Sequence, residues 1–175
     1  MNDVSNNQFT HLKIHTQYSI CEGALRTSDL AKYCKTNQIK AAGLCDSSNL
    51  CGALEFSESI AKSKTQPIIG TQINVEYKGH IGKIPLFAKD LEGYKNLIKL
   101  SSKSFLEIKD NEEPHCKVDD IVANYKGLIL LSGSFDGLIG KLFFKNLTDE
   151  ILIFFKRIKK IFNDNFYLEI QRHDD

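Results

Sequence analysis

A chain of 175 residues fits one domain or the first part of a larger one, and 42% hydrophobic with 26% charged residues is the mix of a globular protein that buries its core without disulfides. The formal net charge of +1 offers no bulk attraction for nucleic acid, so no direct DNA binding is predicted. The five cysteines, Cys21, Cys34, Cys45, Cys51 and Cys116, form no CxxC pair, which argues against a zinc ribbon or thioredoxin-type site.

Residues 1–8 are polar, lack the apolar core of a secretory signal, and read as a disordered leader. His11–Ile14 reads as a short strand. Ser28–Gln38 reads as a helix capped by Thr27 or Ser28, with Leu30, Ala31 and Cys34 on one face. Ala41–Cys45 is an apolar strand, followed by a helix over Leu50–Lys62. Pro67–Val75 and Lys83–Ala88 read as strands with Gly79 in the turn between them. Asp90–Leu106 is a strongly patterned helix, with Leu91, Tyr94, Leu97, Ile98 and Phe105 on one side. Glu107–Lys117, polar and carrying Pro114, reads as a loop. A short helix over Val118–Tyr125 leads into the strand Leu128–Leu131. Asp149–Phe162 is a helix with Thr148 as N-cap, and Phe166–Gln171 is the final strand. No apolar run approaches the ~20 residues that a membrane span requires. Scattered cysteines suit a reducing compartment, so the expected location is cytoplasmic.

Strands alternating with helices imply mainly parallel pairing in an α/β sheet or barrel. A complete (β/α)₈ barrel needs ~250 residues, so on a barrel reading the chain is incomplete. His15, Asp46, Ser134 and His173 each follow a predicted strand, and Gln72 lies within one. Residues at the C-terminal ends of barrel strands converge on one face, and two histidines with an aspartate there are the beginnings of a metal site. The plainer reading of Asp46-Ser47-Ser48-Asn49 is an N-cap for the following helix. His80 and His115 are expected in solvated turns, and His11 as an ordinary strand residue.

The run from Phe9 to Ser19, followed by Glu22-Gly23-Ala24, resembles the opening of the PHP (polymerase and histidinol phosphatase) domain of bacterial DNA polymerase III alpha subunits. Leu44 to Phe56 is similar to its second motif, and Pro67 to Gln72 to its third. Ala88 to Leu97 with Leu100-Ser101-Ser102 resembles a stretch peculiar to the polymerase branch. Leu131 to Ser134 and Phe166 to His173 complete the series in order.

The resemblance implies an incomplete, distorted (β/α) barrel of PHP type over residues 9–175. In the family this fold holds a cluster of metal ions able to support phosphoester hydrolysis. Most ligand positions depart from the pattern. Lys13 stands where the family has the first histidine of His-x-His, and Ser47 where it has the histidine of Asp-His. Gln72 stands for a glutamate and Ser134 for a cysteine. His15, Asp46 and His173 remain as a vestigial set that could hold one weak zinc or manganese ion; no cofactor is otherwise expected. Lysine has no acceptor and repels a metal, so the Lys13 ammonium is expected near Asp46 in the missing ion's stead, or else in solvent. The implied role is a non-catalytic, structural and docking region of a DNA-directed DNA polymerase, a nucleotidyltransferase. Its partners would be the remainder of the alpha subunit and the proofreading exonuclease subunit. The alternative is a metal-dependent phosphoesterase or exonuclease of the same family.

Overall fold

The computed structural model describes residues 9–109 and 111–170. The predicted leader and the predicted ligand His173 lie outside the described residues. Six helices and six strands follow in the order α1 (Thr27–Thr36), β1 (Ala41–Ser47), α2 (Ala53–Lys62), β2 (Gln66–Tyr77), β3 (His80–Ala88), α3 (Leu91–Leu106), β4 (Cys116–Lys117), α4 (Val118–Ala123), β5 (Leu128–Leu131), α5 (Leu138–Phe144), α6 (Thr148–Phe162) and β6 (Phe166–Tyr167). A 3-10 turn, Asn163–Asn165, joins α6 to β6.

The strands form one mixed sheet in the order β1-β2-β3-β5-β6, with β4 paired to β2. Three ladders are parallel, β1 with β2, β2 with β4 and β5 with β6. The long β2–β3 pair and the β3–β5 pair are antiparallel. The reason for the hairpin is local. Tyr77 pairs with His80, leaving Lys78 and Gly79 as a two-residue turn with φ of 51° and 80°. Positive φ at both turn positions suits the twist of an antiparallel hairpin. His80 is therefore the first residue of β3 and half-buried, not a solvated turn residue.

His11–Ile14 does not form a regular strand. It lies along β1 through two bonds, from Gly43 N to His11 O and from Cys45 N to Ile14 O, both 2.8 Å. Gly43 permits the approach, since a Cβ there would meet the Leu12 carbonyl oxygen at 2.3 Å.

Alternation along the strands sorts side chains onto two faces. On one face Ile73, Val75, Ile84, Leu86, Leu128 and Leu130 pack beneath α3 to α6 as the main core. Around β1 a second cluster joins Leu30, Cys34, Leu44, Phe56 and Ile60 to α1 and α2. On the opposite face Cys45, Phe87 and Leu131 make a small cluster with Leu12, Ile68 and Ile129. Ser47, Gln72 and Lys83 share the strand parity of this last cluster, and it forms the floor of the site. Among the described residues no helix is long and apolar enough to cross a membrane.

Candidate functional site

A cleft of about 560 Å³ opens on this face, lined by Lys13, His15, Glu22, Gln72, Lys83, Ser134 and Asp136. Four of the residues singled out in the sequence, Lys13, His15, Gln72 and Ser134, are thus brought together. Ser47 reaches the same network by hydrogen bonds, and Asp46 does not line the cleft.

Asp46 and Ser47 separate because consecutive strand residues face opposite ways. Asp46 is fully buried beneath the loop that follows His15. Its Oδ1 accepts from the Thr16 backbone N–H at 2.6 Å and the Ser19 hydroxyl at 2.6 Å. Its Oδ2 accepts from the Thr16 hydroxyl at 2.8 Å. The carboxylate thus anchors the turn Thr16–Leu25, whose ends meet in a bridge between Thr16 and Leu25. Gly23 is needed there because a Cβ would meet the Thr16 carbonyl oxygen at 2.1 Å.

Lys13 is not paired with Asp46, contrary to the expectation drawn from charge. Its Nζ donates to Glu169 Oε1 at 3.1 Å and to the Ser134 hydroxyl at 3.3 Å, while Asp46 is already occupied by three donors. The Lys13–Glu169 pair is largely buried, with side chains 19% and 11% exposed, and it spans 156 positions of sequence. Lys83 on β3 forms the second ion pair, with Glu22 Oε1. The other Glu22 oxygen accepts from the Ser47 hydroxyl and from the Gln72 amide at 3.4 Å. Gln72 also donates to Ser47 at 2.7 Å, which the parallel register of Ser47 opposite Gln72 makes natural. Ser134 donates to Asp136.

Burial lowers the His15 pKa, with Lys13 and Lys83 acting in the same direction against Glu22 and Asp46. Its Nδ1 lies 3.4 Å from the Ser19 hydroxyl. Burial would raise the Glu22 carboxyl, but Lys83 and Ser47 outweigh it and hold the group below the ordinary carboxylate range.

Glu22, Lys83, Asp136 and Glu169 belong to the site although sequence reasoning did not select them. Glu22 and Glu169 lie inside the quoted motifs. Lys83 shares the parity of Pro85 and Phe87 against the buried Ile84 and Leu86, a signal that strand alternation contains. No sequence signal marks Asp136.

Residues 11–173 match the PHP domain family. The DNA polymerase III subunit alpha of Rickettsia felis is 36% identical over 168 residues, which are 95% of this chain and 14% of that protein. The subunit of the same name from Caulobacter vibrioides is 35% identical over 181 residues, covering 99% of this chain and 16% of its own length. The chain therefore spans about one-seventh of the curated relatives it matches. A solved structure assigned as a metal-dependent phosphoesterase, from Bifidobacterium adolescentis, overlaps 68% of this chain and 44% of its own at 16% identity and a TM-score of 0.42.

Proposed function

The chain belongs to the PHP domain family, and from that premise we propose that it serves as the non-hydrolytic PHP region of a bacterial replicative polymerase alpha subunit. The observation that carries the proposal is the match of 95% of the chain to polymerase alpha subunits, joined to a cleft in which lysines stand among the carboxylates. In that setting the chain works inside a cytoplasmic DNA-directed DNA polymerase. Its partners are the remainder of the alpha subunit and the proofreading exonuclease subunit, and DNA contact belongs to other parts of the protein.

The metal cluster that the family resemblance implies does not fit these residues. Each zinc ion commonly takes four ligands from His, Cys and carboxylate groups, with an open position in catalytic sites. Here the Asp46 carboxylate already accepts from three donors on Thr16 and Ser19, and that of Glu22 from Lys83, Ser47 and Gln72. Neither ammonium has a lone pair to offer, and each repels a cation. A single ion on His15, Asp46 and His173 would compete with the bonds that hold the Thr16–Leu25 turn. The competing reading, a phosphoesterase or exonuclease, would draw on His15, Glu22 and Asp136, which share the cleft. It needs those carboxylates released from their present partners.

A chimera tests the proposal. The matching segment of the Rickettsia felis alpha subunit is replaced by this chain, and primer extension is measured. The chimera is expected to extend primers at a rate near the parent's. A soluble chimera no more active than the subunit with that segment deleted would overturn the reading.

A further inference from the structure

The two lysines enter the cleft from different walls. Lys13 comes from the N-terminal segment and reaches Glu169 across 156 positions of sequence; Lys83 comes from β3 and reaches Glu22 across 61. Both side chains are held rather than solvated, at 19% and 26% exposure, against 81% for the surface residue Lys32. The cleft and its wall carry three carboxylates, Glu22, Asp136 and Glu169, against these two ammonium groups. With both lysines present the local balance is one negative charge; without them it would be three, beside the imidazole of His15. Carboxylate oxygens and an imidazole nitrogen are donor types for a divalent cation, though among the described residues no three such groups stand together as an ion site with the lysines in place.

We infer that Lys13 and Lys83 are the resident cations of the cleft. Their ammonium groups bring, from within the chain, the positive charge that a divalent ion would bring from solution, and they exclude such an ion. The inference rests on the non-hydrolytic reading of the cleft and adds to it a cause: the carboxylates remain, and the lysines keep them occupied. Ammonium groups need no loading, so the brace between the N-terminal segment, the Thr16–Leu25 turn and the segment after β6 forms at any metal concentration.

The test uses the whole chain, with manganese as the probe, in four forms: wild type, Lys83→Met, Lys13→Met/Lys83→Met, and that double variant with Glu22→Gln. Bound manganese is measured by equilibrium dialysis, and the thermal midpoint is compared in manganese and in chelator. The double variant is expected to bind about one ion per chain at least ~10-fold more tightly than wild type, with an upward midpoint shift in manganese, and Glu22→Gln is expected to reverse most of the gain. Folding of the double variant only in manganese would support the inference equally. A folded double variant that binds no better than wild type overturns it, as does stoichiometric manganese on the wild type. If the double variant folds in neither condition, Lys83→Met decides: a gain in manganese affinity supports the inference and no gain overturns it. Hydrolysis by the wild-type chain is a separate measurement, and only that bears on the non-hydrolytic reading.

Discussion

Asp46 separates a structural from a metal-binding role most sharply, because the residue is fully buried and its partners are known. Three donors converge on it: the Thr16 N–H, the Thr16 hydroxyl and the Ser19 hydroxyl. Hydrogen bonds to a charged acceptor contribute about 1.5–3 kcal/mol each against about 0.5–1.5 for neutral ones, and clustered bonds do not add fully. Asp46→Asn keeps the shape but leaves one neutral acceptor oxygen and puts an NH2, which cannot accept, in place of the other, and should cost about 2 kcal/mol. Asp46→Ala leaves the Thr16 N–H and two hydroxyls without an acceptor in a fully buried site; at about 1–3 kcal/mol per stranded group, with some hydroxyls rotating to other acceptors, the cost should be about 4 kcal/mol. For a chain of this size the Asn variant should melt lower by roughly 4–8 °C. Urea unfolding followed by circular dichroism in chelator gives both values. Variants within about 0.5 kcal/mol of wild type in chelator, but weaker only when metal is added, would refute the structural assignment.

Three further outcomes follow from the same geometry. The lowered carboxyl of Glu22 adds stability that is full above the ordinary carboxylate value of about 4.3 and is lost as pH falls through the folded-state value. The stability gap between wild type and Glu22→Gln should therefore shrink on acidification in urea titrations; a gap unchanged down to about pH 3 contradicts the ion pair. The imidazole of His15, lowered chiefly by burial, favours its neutral form in the fold, so its contribution is full above about 6.5 and declines as pH falls below it. Its NMR titration should show a midpoint below that value, and a midpoint at or above it contradicts the burial. Phe135, Phe143 and Phe144 are exposed and adjacent, with ring centroids 6.0 and 6.2 Å apart, so the isolated chain should self-associate in light scattering. Phe143→Asp/Phe144→Asp should reduce this, and a strictly monomeric wild type at high concentration would count against it.

The sequence carries the elements whose signals are local. Asp90 caps α3 by accepting from Gly93 N at 2.9 Å, but the stripe expected on that helix is corrected: Leu97 is buried together with Leu100, whereas Leu91, Ile98 and Phe105 are exposed. The hairpin turn is marked by Gly79. Helix α5 escaped because it is seven residues long with Gly140 inside it. That glycine is required by packing, since a Cβ would meet the Phe135 carbonyl oxygen at 2.0 Å. Within the site, Lys13, His15, Gln72 and Ser134 converge as their motif positions imply. Asp46 is a different case. Its place at the C-terminal end of β1 suggests a ligand, but strand parity turns it away from Ser47 and under the Thr16–Leu25 turn. The Lys13–Glu169 partnership was not legible either, because a contact across 156 positions depends on where two chain ends meet in space.

The central claim, a PHP fold whose cleft does not hydrolyse phosphoesters, is tested most directly by incubating the purified chain with a chromogenic phosphodiester in added zinc or manganese. The account predicts turnover no greater than the metal-only blank, unchanged by His15→Ala. Metal-dependent turnover above the blank that His15→Ala abolishes would contradict it.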